Sequence, residues 1–419
     1  MNITRNVLVA SAGGVLAGMA LIAFIVATGP QPVFTPQQEQ EEPAIVAESQ
    51  EQAEEREEQV EIEIHDWIAQ PAPGELRGIY LTKWTAGSQK RMEEIKNLAK
   101  EGIINAVVID IKDFSGYVAY DTNVSLADEI GAEEVAIKEI TAYLASLKEA
   151  GLYTIARITV FQDPVLAEAR PDLAVKSAAA NDEELWLDNK GLAWLDPASQ
   201  EVWKYHADLA KDAFNKGFDE VNFDYVRFPS DGDVFDASYP FWDETTPLEV
   251  IIASFFAYLH EELGTGVTSV DLFGLSAANT WDDMGIGQVL EDTFLYFDYI
   301  SPMVYPSHFA LSFLGFEYPD EHPYEIVEFS MRRAQERLDA FSIEHEEVGA
   351  KLRPWLQYFD LKDSRVKYTP EVIREQITAT REALKEEYQG YLLWNSANIY
   401  PMEELKEIVF GPTLEDVVE

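Results

Sequence analysis

Gly217-Phe218-Asp219-Glu220-Val221-Asn222-Phe223-Asp224-Tyr225-Val226-Arg227-Phe228-Pro229 is the stretch on which the fold turns. Side chains of a strand alternate between its two faces, so Asn222 and Asp224 share one face while Val221 and Phe223 share the other. The reading is a buried strand over residues 220–228 that carries an acid on its inner side. A carboxylate placed there is costly without partners. Arg157 and Arg227 are the candidate cations for it.

Working outward from this strand, short β-branched or aromatic runs alternate with amphipathic helices from Glu75 onward. Further strands are predicted at residues 77–82, 106–113, 153–160, 267–273, 299–305, 353–359 and 390–394. The intervening helices are predicted at 89–101, 133–150, 199–216, 247–263, 285–296, 324–341, 370–387 and 402–409. Eight strands in strict alternation with eight helices predict an α/β fold of the closed (β/α)8 TIM barrel type rather than an open doubly wound sheet. Two connections, 161–197 and 229–246, are long, and loops of that length in a compact domain usually line a site.

Active sites of such barrels lie at the C-terminal ends of the strands. Those ends carry Tyr80; Asp110, Lys112 and Asp113; Arg157; Asn222, Asp224 and Arg227; Asp271; Tyr305 with His308 beyond; Gln357; and Trp394. Strand parity places Asp110 with Lys112 and Met303 with Tyr305. Hydrolysis of a glycosidic bond needs two carboxyls, one donating a proton and one remaining ionised as nucleophile or base. Asp224 is the candidate for the ionised group, kept charged by Arg157 or Arg227. Asp271, Asp113 and Asp110 are the candidates for the acid. Tyr80, Lys112, Arg157, Asn222, Arg227, Tyr305, His308, Gln357 and Trp394 are the candidate substrate contacts.

The run 218–229 resembles the strand-four motif of a bacterial family of barrel proteins, formerly a domain of unknown function, that is assigned as glycoside hydrolases. Trp194-Leu195-Asp196-Pro197, Gly78-Ile79-Tyr80-Leu81-Thr82 and Val108-Ile109-Asp110-Ile111-Lys112-Asp113 are similar to other segments of that family. The resemblance spans about residues 75–410 and implies a barrel fold with glycosidase activity, a role inferred largely from fold in such families. More distantly the chain resembles family-eighteen chitinases and alpha-amylase-type barrels. In the chitinase motif Asn222 and Asp224 match two positions of an Asp-x-Asp-x-Glu series. Val226 stands where the acid Glu would be, which argues against the substrate-assisted chitinase mechanism.

Composition narrows the alternatives. The 419 residues carry a formal net charge of -45, which repels phosphate backbones and makes nucleic acid an unsuitable partner. Neutral or amino-bearing sugars fit this charge better than anionic polymers. Aromatics make up 12% of the chain, enough to furnish both a core and stacking faces for pyranose rings. There is no cysteine, so disulfides, thiolate metal sites and cysteine nucleophiles are excluded. Six scattered histidines give no metal-binding pattern, and no Gly-x-Ser-x-Gly elbow, P-loop or dinucleotide fingerprint occurs. No cofactor or metal is expected. The rival reading is a non-catalytic polysaccharide- or cell-wall-binding barrel that keeps Trp84, Trp281, Tyr305 and Trp394 as sugar platforms but lacks the acid.

The N-terminal part has another character. Arg5 precedes an uncharged stretch of 22 residues, 7–28, long enough for a membrane-spanning helix and longer than a usual signal-peptide core. Residues 1–29 are therefore expected to be a membrane anchor or signal segment, with the rest of the chain outside the cytoplasm. Cleavage after the small residues Ala23, Ala27 or Gly29 would instead release it. Residues 30–74 form an acidic linker rich in Pro, Gln and Glu, with eleven Glu against one Arg between Glu39 and Glu63. Residues 75–419 form the barrel domain.

Overall fold

The computed structural model describes residues 70–362 and 365–411. Eight parallel strands form its centre: β1 (Leu76–Leu81), β2 (Ala106–Lys112), β3 (Tyr153–Thr159), β4 (Glu220–Asp224), β5 (Thr268–Phe273), β6 (Tyr299–Val304), β7 (Trp355–Gln357) and β8 (Gly390–Trp394). Each pairs with its neighbour in sequence. The circle closes where β8 pairs with β1 through Gly390 and Leu76. Trp355 of β7 aligns with Met303 on one side and Leu392 on the other. No edge is left in the barrel, so every strand finds ladder partners on both sides.

The closing seam depends on one glycine. Gly390 has φ +99, and a Cβ there would lie 1.9 Å from the Leu76 carbonyl oxygen. A residue without a side chain can take both that conformation and that approach. On β7 the ladder is interrupted at Arg353 and Pro354, with a short segment, Lys351–Leu352, pairing with β6 below. Proline brings no N–H to a ladder, so the strand breaks there.

Alternation sorts the side chains into two cores. Leu76, Tyr80, Ala106, Val108, Tyr153, Ile155, Tyr305, Trp355 and Leu392 fill the barrel. Ile79, Leu81, Val107, Ile109, Ala156, Ile158, Val221 and Phe223 face the surrounding helices. Each large aliphatic side chain buried this way contributes about 1.5–3 kcal/mol. Helices such as Gln200–Lys216, Leu248–Leu263, Pro323–Glu344 and Pro370–Leu384 form the outer layer. Ser199 caps the first of these, its hydroxyl accepting from the Val202 N–H.

One expected helix is absent. Residues 285–296 contain only a single 3-10 turn, Glu291–Thr293. Met284, Gly285 and Gly287 all have positive φ, and a Cβ at Gly287 would approach the Leu248 carbonyl oxygen to 2.8 Å. An α-helix cannot start through such a run. The apolar spacing of that stretch serves packing without helical geometry.

The two long loops lie together above β3 and β4. Lys176–Ser177 pairs antiparallel with Ala237–Ser238, Trp186 donates to the Asp233 carbonyl, and Asp196 accepts from the Phe241 N–H. Among the described residues no helix is long and apolar enough to cross a membrane, and the expected anchor, 7–28, lies outside them.

Candidate active site

β4 ends at Asp224, four residues earlier than predicted, because Tyr225 turns into the left-handed region at φ +56. The turn lets the Tyr225 N–H donate to Asp224 Oδ1 at 2.6 Å. It also breaks the parity expected beyond it. Val226 packs into the core between barrel and helices, so a glutamate in its place would not reach the mouth.

Asp224 Oδ2 accepts from Nη2 of Arg157 on β3, and Nη1 of the same guanidinium bonds Asp110 on β2. Arg157 Nε lies 3.7 Å from Asp271 Oδ2 on β5. Three carboxylates from three strands thus surround one cation, and all four groups are nearly sealed from bulk solvent. A single guanidinium spans them, which keeps their oxygens within the roughly 10 Å that a two-carboxylate mechanism allows. Burial works against the charge on Arg157, but Asp110, Asp224, Tyr80 and Asp271 outweigh it and hold its pKa well above the usual value.

The two flanking acids share a tendency to hold protons. Burial, followed by the charge of Asp224, pushes the Asp271 carboxyl well above the ordinary range, with Arg157, Asn222 and Trp355 acting in the opposite direction. Burial also raises Asp110, against the pull of Arg157 and Tyr80. One cation among three acids leaves a deficit of positive charge, and protonation is the response available to a desolvated carboxyl.

Other groups fix these carboxyls in place. Tyr80 donates its hydroxyl to Asp110 and stacks on Trp394 with ring centres 3.9 Å apart. Trp394, half-buried, also lies 5.1 Å from the Arg157 guanidinium. Asn222 donates to Asp271 Oδ1 at 2.8 Å and to Ser269 at 3.0 Å. Trp355 donates its indole N–H to the same Asp271 oxygen at 2.8 Å. Below them Ser269 bonds Glu220, which pairs with the fully buried Arg353. A polar chain therefore runs from the barrel floor to Asp271. Trp355, Ser269, Glu220 and Arg353 were not singled out from the sequence. The inward parity of Trp355, two residues before Gln357, was the signal available for it.

Several expected contacts are placed differently. Lys112 does not share a face with Asp110. The register between β2 and β3 shifts between those two residues, so Lys112 aligns with Ile158 and points outward. There it pairs with Asp163 at 2.9 Å and donates to the Thr159 carbonyl at 2.6 Å, fully buried. Asp113 is held by Lys83 at 3.4 Å and by the Ser115 N–H at 3.0 Å. Asn222 lies beneath the carboxylates, where it orients Asp271. Gln357 is buried and accepts from the Ser307 N–H at 3.2 Å, which fixes the loop after β6. Tyr305 lines the barrel interior with its hydroxyl unpaired among the described residues, and His308 sits edge-on to it at 5.5 Å on the exposed rim. Arg227 does not pair with Asp224; it lies among the rings of Trp194, Tyr225 and Phe273. Among the described residues no cluster of His, Asp and Glu has the form of a metal site.

A closed (β/α)8 barrel with acids gathered at the carboxyl ends of its strands defines the class of protein to which this chain belongs. The comparisons with known proteins supply the family: the chain belongs to the one described as "Putative glycosyl hydrolase domain", whose model matches residues 78–400, and is of the glycosidase class. A hypothetical protein from Ruminiclostridium thermocellum ATCC 27405 is 40% identical over 46% of this chain and 96% of its own, with a TM-score of 0.43. The PgaB (BpsB) glycoside hydrolase domain from Bordetella bronchiseptica is 14% identical over 81% of this chain and 99% of its own, with a TM-score of 0.53. Alpha-L-fucosidase isoenzyme 2 from Paenibacillus thiaminolyticus is 14% identical over 80% and 48%, with a TM-score of 0.51. The last two likenesses concern the fold. No curated protein matches the chain.

Proposed function

We propose that this protein hydrolyses glycosidic bonds of a polysaccharide outside the cytoplasm, with Asp224 as the ionised nucleophile or base and Asp271 as the group that holds the proton. The observation that carries the reading is the set of Asp110, Asp224 and Asp271 around Arg157 at the mouth of the barrel. Two carboxyls in different protonation states are the requirement for this chemistry. Burial and the neighbouring Asp224 charge favour the neutral form of Asp271, while Asp224 accepts hydrogen bonds from Arg157 and its own backbone. Trp394, half-buried and backed by the buried ring of Tyr80, offers an aromatic face beside the carboxylates. The extracytoplasmic location rests on the uncharged stretch 7–28 and the acidic linker after it. The net charge of -45 favours a polymer made mainly of neutral or amino sugars.

A polysaccharide-hydrolysis screen of the full chain, read by reducing-end release, tests this. Asp224→Asn is expected to lower turnover by at least about 10³-fold while the circular dichroism spectrum is unchanged. Equal turnover by the two proteins would reject the assignment. The near-complete burial of all three carboxylates favours, as second reading, a binding barrel without catalysis. That reading expects sugar binding by both proteins and no hydrolysis by either.

A further inference from the structure

Arg227 is a buried cation, only 6% exposed, with no carboxylate in ion-pair contact among the described residues. Among the described residues its one side-chain hydrogen bond goes from Nη1 to the Phe228 carbonyl at 3.0 Å. The remaining guanidinium N–H groups find no acceptor among the described residues. Unlike those of Arg353, they are not sealed away from solvent.

The acids near enough to act on its charge are Asp224, Asp231 and Asp188. Two of them are engaged elsewhere. Asp224 bonds Arg157 and the Tyr225 N–H. Asp188 accepts from Gln162, Trp194, and the Lys190 and Leu192 backbones. Burial consequently pulls the Arg227 pKa below the usual value.

Three aromatic rings hold the guanidinium instead. Its carbon lies 4.8 Å from the ring centres of Trp194 and Phe273 and 5.2 Å from that of Tyr225. Such contacts offset part of the desolvation cost without supplying a counter-charge. The rings come from three places: the loop after β3, the turn after β4 and the end of β5. The cation is thereby fixed beside the end of β4, three residues beyond Asp224, with Nε and Nη2 free of acceptors among the described residues. A planar fork of this kind matches a carboxylate in a bidentate pair.

We propose that Arg227 binds the carboxylate of an acidic sugar ring seated next to the scissile bond, within a polymer otherwise made of neutral or amino sugars. The inference rests on the glycosidase reading for the position of that bond, and it is specific about the substrate where that reading is not. The strongly acidic surface turns away long anionic polymers, whereas this single cation admits one negative group at a defined place. The carboxylate belongs either to the ring itself, as in a uronic acid, or to an ether substituent on it.

The test is binding rather than turnover, so that it does not depend on whether Asp224 acts as proposed. Full-length Asp224→Asn protein is titrated by calorimetry with two matched pairs: glucose against glucuronic acid, and N-acetylglucosamine against N-acetylmuramic acid. At least one acidic sugar is expected to bind roughly tenfold to a hundredfold tighter than its neutral twin, the range of a charge-assisted hydrogen bond. Which pair responds identifies the position of the carboxylate. Adding Arg227→Gln should erase the preference, and Arg227→Lys should restore only part of it. Equal affinity for both members of both pairs, or a preference that survives Arg227→Gln in a protein with an unchanged near-ultraviolet spectrum, would overturn the proposal. Failure of hydrolysis by the wild-type chain with the preference intact would count against the catalytic reading alone.

Discussion

Replacing Arg157 by methionine removes the charge and keeps much of the side-chain volume. Asp110 and Asp224 then face each other without the guanidinium that bonds both, and Asp271 loses its nearest cation. Removing one partner of a buried ion pair costs about 3–5 kcal/mol, because the remaining charge is left without compensation. Set against a typical domain stability of about 5–15 kcal/mol, that is a large fraction. The loss should depend on pH in a definite direction. Arg157 lowers the pKa of both Asp110 and Asp271, which burial raises, so its removal lifts both further. A carboxyl whose folded pKa exceeds its unfolded value near 4 costs nothing below that unfolded value. It destabilises the fold progressively as pH rises toward the folded pKa. The deficit should therefore be greatest near pH 8 and shrink toward pH 4–5. Urea unfolding followed by circular dichroism at pH 8 and pH 5, with the m-value checked for constancy, measures it. Adding Asp110→Asn to Arg157→Met should recover part of the stability, since one uncompensated charge is gone. A deficit below about 1 kcal/mol, or the same deficit at both pH values, would refute the view that this guanidinium holds the acids together.

Three other expectations follow from the same geometry. If Asp271 holds the catalytic proton, kcat/KM falls as pH rises through its raised pKa, and in Asp271→Asn that alkaline limb disappears along with most of the activity; an unchanged pH profile rejects the role. Lys112→Met should lower the melting temperature by breaking a buried pair with Asp163, at a cost of about 3–5 kcal/mol, yet leave sugar affinity unchanged; weakened binding in a folded variant would return Lys112 to the site. Gly390→Ala should destabilise the barrel by more than about 2 kcal/mol, since its methyl group meets the Leu76 carbonyl in the seam; a thermal melt within a degree of wild type would contradict that packing.

The rhythm of the sequence carried the architecture. Eight strand-like runs separated by helical ones led to the closed barrel, and β8 has the predicted limits. The acids on β2, β4 and β5 were legible because inward parity and position at a strand end are local properties. Features that interrupt this regularity were hidden. The register shift after Asp110 sends Lys112 outward, and the left-handed turn at Tyr225 sends Val226 into the outer core. Glycines at positive φ remove the expected helix 285–296.

Partner choice was also beyond the sequence. Arg157 and Arg227 were equal candidates for Asp224, since one belongs to the preceding strand and the other follows Asp224 by three residues in the same segment. The tertiary structure gives Asp224 to Arg157 and encloses Arg227 in aromatic rings. Where a strand is regular, local pattern fixes which face a residue occupies, because the alternation of side chains belongs to the strand itself. The neighbour a charge meets on that face depends on register and closure around the barrel. These arise only when all eight strands assemble, so the acids could be read along the chain, while the cation that joins them became visible in the fold.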